Sequence, residues 1–483
     1  MSKRNVILIT IDSLRRDFLG CYGYPKNISP NIDKLAKEGI LFENAYANGP
    51  NTPHAFKSIM MGKYPLEDPG YGVFEKDKYL PWIFKKNGYF TVGIQAGNPL
   101  ISRYYGYGNG FDIFEDFINN RDTGNHLAKS KFKLYQKFRL IIYSINNYLY
   151  FVLMKGVYQL RKKRYQSYKD NKVPYNDVLR KLHNVLYQER NTLSKKGIFL
   201  WIHLMDTHFP YNKASGISDE ECRVLMELVG LSLLPGIGAK KAIDRSLRSR
   251  IIKMYEHSVS DIDKAIGHIL KILKANKIIK NASIFLVADH GELLGEHDIY
   301  THQRSVFNEL LKIPLIVYEN DSPIGLSRYK GLVSQIEIYK MILASRQKNI
   351  CKVITNNSVA KRNYIISEMY KNRNGRMYIN EDVNMRELDR IAGYIYSIMI
   401  DNKKFIYDNS RNKLFFDLSQ DPFELMPYLK PPYDVHSMED ILKKHFQSEN
   451  KKRKIVSKRY ELDTFINNFI YRMNSNKIQE STQ

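Results

Sequence analysis

The amino-acid sequence predicts an α/β fold built around a parallel sheet. Residues 1 to about 120 alternate strand-like and helix-like segments, the order typical of such folds. Residues 6–11 and 284–288 are apolar runs bounded by polar residues, and runs of this length indicate buried parallel strands. Residues 90–94 and 197–202 also read as strands of this kind. We therefore expect all of these strands in one core sheet.

Helix signals separate the strands. Residues 29–39 carry a Ser cap, a short amphipathic stretch and a terminating Gly. Residues 250–275 place apolar side chains at helical spacing and predict a long helix that leads into strand 284–288. Residues 215–245 are interpreted as a loop or a small helical excursion. Residues 312–317 predict a further strand, so the alternation continues well into the second half of the chain.

Changes in composition and in the pattern of apolar residues divide the chain into three parts. Residues 1–345 form the α/β domain, interrupted by a basic helical insertion at about 124–195. Residues 346–430 contain short strand-like runs and predict a small subdomain with antiparallel strands. Residues 431–483 are predicted to be a basic helical tail.

The composition is that of a globular protein in a reducing compartment. Hydrophobic residues make up 43% of the chain, an ordinary share for a soluble protein. Three widely spaced cysteines lack a paired metal-ligand spacing and imply no disulfide framework. The first apolar run is too short for a secretory signal, and no run of about 18 apolar residues predicts a membrane span. We therefore expect a cytoplasmic protein.

The net charge of +25 at pH 7 favours an anionic partner. The sequence has no helix-turn-helix, zinc-finger spacing or RNP-like motif, so nucleic acid is not expected as a partner. The abundance of Lys, Ile, Tyr and Asn is also typical of a genome-wide compositional bias. Residues 124–195, with the basic run 161–164, form either a solvated helical lid or a peripheral contact with anionic lipid headgroups. The sequence predicts no particular oligomeric state.

Side chains able to bind a metal follow two of the predicted strands. Asp289 and His290 end strand 284–288, and Asp12 ends strand 6–11. The carboxyl ends of parallel strands form the edge where open α/β sheets bind ligands. A carboxylate next to an imidazole favours a metal site, although an Asp after a strand also commonly caps a turn. We interpret Asp289 and His290 as ligands, and for Asp12 capping and ligation are both open.

Thr52 is a candidate nucleophile with two interpretations. The pair Thr52-Pro53 predicts a helix start, with Thr52 as the N-cap and Pro53 at the first helical position. The functional interpretation is that a helix N-terminus stabilises anions. A hydroxyl there, facing a metal on the other three residues, could lose its proton and attack a phosphorus or sulfur centre.

A set of motifs resembles the sulfatase family, which belongs to the alkaline-phosphatase superfamily. Their order and spacing agree from about residue 4 to 428, except in the basic insertion. The resemblance implies an α/β sandwich with a large mixed sheet flanked by helices, plus a small C-terminal α+β subdomain. The matching segments are 9–17, 20–24, 30–36 and 62–65 near the N-terminus, 289–297, 307–309 and 313–316 in the middle, and 414–424 near the C-terminus.

The resemblance implies the metal ligands and the nucleophile. Asp12, Asp289 and His290 fall on metal-ligand positions, and Thr52 falls where the family keeps its nucleophile. The second of the family's tandem N-terminal Asp ligands is replaced, because Ser13 follows Asp12. The resemblance therefore implies a metal site with a smaller set of carboxylate ligands.

The resemblance also implies two catalytic histidines. His208 matches a histidine that contacts the sulfate or phosphate group of the substrate. His302 lies where relatives place a Lys or His near the leaving group or a metal. A second metal on Asp206 and His302 is a further interpretation, but two-metal relatives use Asp-x-x-x-His and this chain has Asp-x-His at 206–208.

The nucleophile segment departs from the family pattern. Sulfatases use a Cys or Ser that is oxidised to formylglycine, and Thr52 cannot form that aldehyde. The usual Arg four residues later is Phe56, with His54 and Lys57 as the nearest polar substitutes. Thr nucleophiles occur in superfamily relatives that cleave phosphodiesters or transfer phosphoglycerol and phosphoethanolamine.

We expect a metal-dependent hydrolase of sulfate or phosphate esters that acts through a covalent ester of Thr52. Substrates linked to a glycan or to a lipid are both open. A shell of carboxylates and one imidazole suits Ca²⁺, Mg²⁺ or Mn²⁺, and Zn²⁺ if His302 also binds. Two alternatives stay open. One is a transferase of phosphoglycerol or phosphoethanolamine onto a lipid or glycan. The other is a non-catalytic binding protein that retains the metal site.

Overall fold

Strands and helices alternate along the chain, as the sequence predicts. This computed structural model describes residues 3–67, 72, 75–118, 173–232, 245–302, 305–320, 328–347, 350, 354, 363–370, 394–408, 413–428 and 435–448. The strands are β1 (Asn5–Ile11), β2 (Ile40–Tyr46), β3 (Phe90–Gln95), β4 (Ile113–Glu115), β5 (Ile198–Leu204), β6 (Ala282–Ala288), β7 (Leu293–Leu294), β8 (Tyr300–Thr301), β9 (Lys312–Ile313), β10 (Leu315–Glu319), β11 (Arg328–Ser334), β12 (Tyr364–Tyr370), β13 (Tyr394–Ile400), β14 (Lys403–Asp408) and β15 (Lys413–Asp417).

The helices are of very different lengths. The α-helices are α1 (Pro30–Glu38), α2 (Thr52–Met61), α3 (Leu80–Lys86), α4 (Tyr175–Gln188), α5 (Arg190–Leu193), α6 (Asp219–Ser232), α7 (Arg245–Ala275), α8 (Asn308–Leu311), α9 (Gln335–Ala344) and α10 (435–448). Short 3-10 helices cover Arg16–Phe18, Gly20–Tyr22, Lys76–Lys78, Pro99–Ile101, Arg103–Tyr105, Ile278–Asn281 and Glu296–Asp298.

The central sheet is mixed. Its strand order is β11-β2-β10-β6-β1-β5-β3-β4, with β9 beside β2. Strand β1 lies between β5 and β6 and is parallel to both, whereas β10 is antiparallel to its neighbours β6 and β2. Strands β5 and β6 are buried along their whole length, which explains their continuous apolar sequences. The large mixed sheet implied by the family resemblance is confirmed.

The register of the three central strands brings their ends to one edge. Ile11 at the end of β1 pairs with Leu204 of β5 on one side and with Ala288 of β6 on the other. The residues that follow all three strands therefore emerge at the same level. Asp12 and Asp289 lie at this edge because the apolar residues before them are in register.

Two groups of helices flank the sheet. Helices α1 and α4 pack against α7, and α2 packs against α9. The predicted long helix is confirmed as α7, although it begins at Arg245, and its apolar positions at helical spacing are buried. Helix α6 confirms the predicted helical excursion in the part of residues 215–245 that the structure describes.

The prediction of a single strand over residues 312–317 was wrong. The segment forms two strands, β9 and β10, which part at Pro314. A proline has no backbone N–H to donate to a sheet ladder, so the run cannot pair continuously. Strand β9 pairs with β2, whereas β10 lies between β2 and β6.

The C-terminal subdomain is a four-stranded antiparallel sheet in the order β12-β13-β14-β15, as the sequence predicts. It is joined to the α/β domain by short hydrogen bonds. The Ser367 hydroxyl donates to the Ala47 carbonyl at 2.6 Å, and the Glu368 N–H donates to the Asn48 carbonyl at 2.8 Å. Helix α10 is held by His445, whose Nε2 lies 2.9 Å from Glu368 Oε2. The domain boundaries at residues 345 and 430 stay predictions.

Most of the predicted basic insertion 124–195, including residues 161–164, lies outside the described residues, and so does the tail from residue 449 onward. The end of the insertion forms α4 and α5. Among the helices of the described residues, none has the length and hydrophobicity needed to cross a bilayer.

Candidate active site

Asp12, Asp289 and His290 meet at the carboxyl edge of the central sheet. Each offers one ligand atom, and these atoms lie within 4.8 Å of one another. All three residues are fully buried. Asp206 is also buried, one residue beyond the strand-end position on β5, but lies outside this group of described residues.

Hydrogen bonds hold the three side chains in place. Asp289 Oδ1 accepts from the backbone N–H of Ser13 at 3.1 Å and from that of His290 at 2.8 Å. His290 Nδ1 lies 2.8 Å from the Gly291 carbonyl, so this nitrogen donates a proton and Nε2 is left with a free lone pair. His290 Nε2 faces Asp12 Oδ1 at 3.6 Å and Asp289 Oδ2 at 3.5 Å. This tautomer is the one that a metal-binding histidine needs.

The electrostatics of the cluster fit a divalent cation. Asp289 Oδ2 is buried and accepts no hydrogen bond from any described residue. Burial and the neighbouring Asp12 carboxylate raise the pKa of Asp289 well above its ordinary value. Burial raises the pKa of Asp12 too, but the nearby histidines, His208 first, outweigh this and leave it well below the ordinary value. Burial lowers the pKa of His290, which favours the neutral ring. Two buried carboxylates facing a neutral imidazole form a suitable binding site for a metal ion.

The Thr52 hydroxyl faces this cluster and does not cap its own helix. The structure corrects the predicted cap by one residue: Asn51 is the N-cap, and its side chain accepts from the His54 N–H at 3.3 Å. Helix α2 begins at Thr52 itself. Thr52 Oγ1 lies 3.3 Å from Asp12 Oδ2 and 3.3 Å from His290 Nε2. The hydroxyl is therefore within reach of any cation bound by these residues.

The two predicted histidines lie next to the cluster. The ring of His302 is centred 4.5 Å from that of His290 and 5.0 Å from that of His208. His302 is partly exposed, its side chain 15% accessible, whereas His290 is fully buried. The structure therefore brings the three imidazoles together as tilted neighbours, with His302 between His290 and His208.

A model of the sulfatase family matches residues 4–345 of this chain. The chain belongs to the sulfatase family. Its members are sulfuric ester hydrolases, and the matched region contains every residue of the cluster described above. The family resemblance seen in the sequence motifs is thereby confirmed.

Known sulfatases align with much of the chain. It is 24% identical over 345 residues to the ulvan-active sulfatase of Formosa agariphila, covering 68% of this chain and 58% of the relative. It is 23% identical over 462 residues to an arylsulfatase of Clostridium perfringens, covering 88% of this chain and 89% of that protein. The fold is similar to a phosphonate monoester hydrolase of Agrobacterium radiobacter, with a TM-score of 0.59 and 15% identity over 93% of this chain and 96% of the other.

The surroundings of Thr52 are more apolar than the sulfatase sequence pattern predicts. Phe56, at the position of the usual Arg, is fully buried, and its ring is centred 5.4 Å from that of Trp201 and 5.2 Å from that of His203. His54 Nδ1 contacts Asn51 Oδ1, and Lys57 Nζ donates to the Pro65 carbonyl at 3.0 Å. Phe56, which the sequence resemblance aligns with the usual Arg, is thus part of an aromatic cluster.

Sequence reasoning missed the contacts that three residues make with Asp12. Asn98 Nδ2 donates to Asp12 Oδ2 at 3.0 Å, and Ser13 Oγ donates to Asp12 Oδ1 at 2.9 Å. His203 is fully buried with Nε2 3.5 Å from Asp12 Oδ2, while its Nδ1 contacts Thr10 Oγ1 at 2.9 Å. Asn98 and Ser13 follow the ends of β3 and β1, so the strand-end rule that found Asp12 could have found them. His203 lies inside β5 and carries no such signal.

Proposed function

We propose that this sulfatase hydrolyses sulfate esters with the help of a divalent cation and through a covalent ester of Thr52. One observation carries the proposal. The Thr52 hydroxyl lies 3.3 Å from both Asp12 Oδ2 and His290 Nε2, while Asn51 supplies the helix cap. A threonine with no capping role, aimed at a buried group of metal-binding atoms, supports the role of nucleophile.

The cation would be held by Asp12, Asp289 and His290. It would lower the pKa of a nearby hydroxyl and offset the negative charge of the ester's nonbridging oxygens. The orphaned Asp289 Oδ2 supports this assignment, because binding a cation satisfies a buried oxygen that no described residue does.

Each bond that changes can be assigned. The Thr52 hydroxyl releases its proton to solvent, Oγ1 attacks sulfur, an S–O bond forms, and the S–O bond to the substrate alcohol breaks. The departing alkoxide takes a proton from His302 or His208 and leaves as the alcohol. A water molecule then attacks the sulfur of the Thr52 ester and the S–O bond to Thr52 breaks. One proton of the water returns to the histidine, the other goes to Thr52 Oγ1, and sulfate departs. One water is consumed, and one alcohol, one sulfate and one proton are formed.

We propose a sulfated glycan as the substrate class. The relatives support it, since one acts on ulvan by name and a solved structure of similar fold contains D-glucosamine-2-N,6-O-disulfate as its substrate. The net charge of +25 also favours an anionic substrate. Phosphate esters, the transferase and the non-catalytic protein stay as alternatives, and no contact of the described residues favours them.

A substrate panel with added metals tests the proposal. The protein, freed of metal with a chelator and resupplied with Ca²⁺, Mg²⁺, Mn²⁺ or Zn²⁺, is assayed on aryl sulfates, aryl phosphates, phosphodiesters and sulfated disaccharides. We expect turnover of sulfate monoesters that requires added metal. Mass spectrometry of rapidly quenched enzyme should show one sulfuryl group on the peptide that contains Thr52. Turnover restricted to phosphodiesters, or none with any substrate, contradicts the proposal.

A further inference from the structure

Glu292 is a fully buried carboxylate whose position follows from a hairpin. Strands β7 and β8 pair with Leu293 opposite Thr301, so the residues just outside this pair, Glu292 and His302, also lie opposite each other. Glu292 Oε1 lies 3.3 Å from His302 Nδ1. The side chain of Glu292 is 0% exposed and that of His302 is 15% exposed. The hairpin thus places Nδ1 of the imidazole against a buried acid, while the side chain as a whole keeps a small exposed area.

The backbone that carries Glu292 is fixed. The Gly291 N–H donates to the Leu310 carbonyl at 2.8 Å, and a Cβ at position 291 would lie 1.9 Å from the Glu309 carbonyl oxygen. Thr301, the residue before His302, has a φ of 65°, a conformation that costs energy for a β-branched residue. Both ends of the Glu292–His302 contact are therefore held by tight local structure.

The Glu292 carboxylate is not needed to balance Arg15, the buried cation nearby. The Arg15 guanidinium pairs with Asp17 at 2.6 Å and with Glu296 at 2.8 Å, and it reaches Glu292 through the backbone carbonyl at 3.2 Å. Glu292 also lies outside the group of metal-ligand atoms found in the described residues. The Glu292 carboxyl also interacts with the Phe209 backbone and the Ser13 side chain. Among the histidines next to the edge of the sheet, His302 is the one that its Oε1 contacts.

We propose that Glu292 is a positioning residue for His302. Its Oε1 accepts the Nδ1–H of His302 and fixes the ring, so that Nε2 is the nitrogen presented to the departing ester oxygen. This inference rests on the proposed function and takes His302, one of the two histidines named there, as the group that assists the leaving group. Orientation of an acid–base histidine by a buried carboxylate is a general device, because it selects the tautomer and removes ring freedom.

A leaving-group series tests the inference. Wild type, Glu292→Ala and Glu292→Gln are compared on aryl sulfates whose phenols range from acidic to weakly acidic. We expect Glu292→Ala to lower kcat about 10- to 100-fold for the poorest leaving group, with much less effect on the best one and on KM. Glu292→Gln keeps an oxygen that can accept Nδ1–H, so it should recover part of the loss. A uniform loss across the series would assign Glu292 to the fold alone.

A double variant separates positioning from general damage. In a His302→Ala background, Glu292→Ala should cause no further loss, because the two changes remove the same function. Losses that multiply in the double variant overturn the inference. Glu296→Gln is the matched control: this acid lies in the same hairpin but pairs with Arg15, so it should lower stability without changing the leaving-group dependence.

A spectroscopic measurement does not depend on turnover. In protein labelled with ¹⁵N-histidine, the His302 signals, assigned by their loss in His302→Ala, should report a protonated Nδ1, and Glu292→Ala should change them. Unchanged His302 signals contradict the positioning role. Metal content measured on every variant excludes indirect loss of the cation. Failure of wild type on all sulfate esters would refute the proposed function instead, and the spectrum would still decide the Glu292–His302 contact.

Discussion

Two buried clusters of charge in this protein are balanced in opposite ways. At the sheet edge, Asp12 and Asp289 face the neutral ring of His290. Where the C-terminal subdomain meets the α/β domain, Lys404 Nζ lies 2.6 Å from Glu424 Oε1, with side chains 1% and 0% exposed. We call these the edge cluster and the interdomain pair.

The interdomain pair is closed by the chain itself. Lys404 also donates to the Val306 carbonyl at 2.7 Å and to Asn308 Oδ1 at 3.0 Å, and Glu424 Oε2 accepts the Asn308 N–H at 2.6 Å. Burial lowers the pKa of Lys404 and raises that of Glu424, and each charge opposes the effect of burial on the other. Within the part of the chain that the structure describes, no Lys or Arg side chain pairs with the edge cluster in this way. This difference distinguishes a structural pair from a cluster arranged for an external ion.

The largest effect is expected for Thr52→Ala. It should abolish turnover, since loss of a nucleophile lowers kcat by orders of magnitude, whereas Thr52→Ser should keep some activity. Asn51→Ala is the control, because it removes the helix cap at a cost of about 1 kcal/mol and leaves the hydroxyl in place. The measurements are sulfate release and thermal unfolding. An active Thr52→Ala enzyme would show that the edge cluster is not built around this hydroxyl.

The next largest effect is expected for Lys404→Met. Breaking a buried ion pair leaves an uncompensated charge and costs about 3–5 kcal/mol of unfolding free energy. Metal content and kcat of the folded protein should not change, because the pair contacts residues 306–308 and not the ligands. Combining the change with Glu424→Leu should restore most of the stability measured by urea denaturation. If Lys404→Met alone removed the metal, the two clusters would not be independent.

Metal binding should stabilise the protein by a smaller amount. At free ion concentrations of 100 times Kd, a site that exists only in the folded state adds about 2.7 kcal/mol. The stabilising ion should raise the melting temperature of wild type and of Lys404→Met equally. It should have no effect on Asp289→Asn, which lacks a ligand. Equal stabilisation of all three proteins would place the ion elsewhere.

The pH dependence of the metal-free protein follows from the same carboxylate. A raised folded-state pKa makes Asp289 stabilising at low pH, and this contribution is lost as pH rises from the ordinary Asp value of about 3.9 through the raised value. Asp12 has the opposite effect. Its lowered folded-state pKa stabilises the protein at higher pH, and this contribution is lost only as the pH falls below the ordinary Asp value. Near neutral pH, metal-free Asp289→Asn should therefore be more stable than metal-free wild type.

The smallest effect is expected for His208→Gln. Loss of one hydrogen bond to a charged sulfuryl group costs about 1.5 kcal/mol, so kcat/KM should fall roughly tenfold. If His208 binds the sulfuryl group, the loss should be the same for all leaving groups. A loss confined to poor leaving groups would instead give His208 the role of proton donor, which we assign to one of the two histidines.

The sequence predicted the edge cluster because its signals are local. An apolar strand followed by Asp or by Asp-His is recognisable within a few residues. The family motifs occur along the chain in the expected order and support the same residues. The residues that hold the cluster together depend on strand neighbours. His203 reaches Asp12 only because β5 pairs with β1, and Asn98 because β3 lies beyond β5. Such contacts need the register, which a single sequence does not contain.

Two further differences between the sequence prediction and the structure have local causes that the prediction judged incorrectly. The cap of α2 moved from Thr52 to Asn51, because Asn is at least as good a cap and precedes it. The predicted strand 312–317 is divided at Pro314. The apolar residues around Pro314 suggested one continuous strand, although a proline has no N–H for the sheet. The interdomain pair had no sequence signal, since Lys404 and Glu424 belong to segments that meet only in the folded subdomain.

The central place of β1 has a consequence for how the protein is made. This strand is synthesised well before its partners β5 and β6, and the Ser13–Asp289 hydrogen bond joins residues 276 positions apart. Until then β1 is an unpaired apolar strand, which makes the nascent chain prone to aggregation and its folding slow. The active site is therefore assembled late in synthesis, and a truncated chain that stops before β6 has no way to form it.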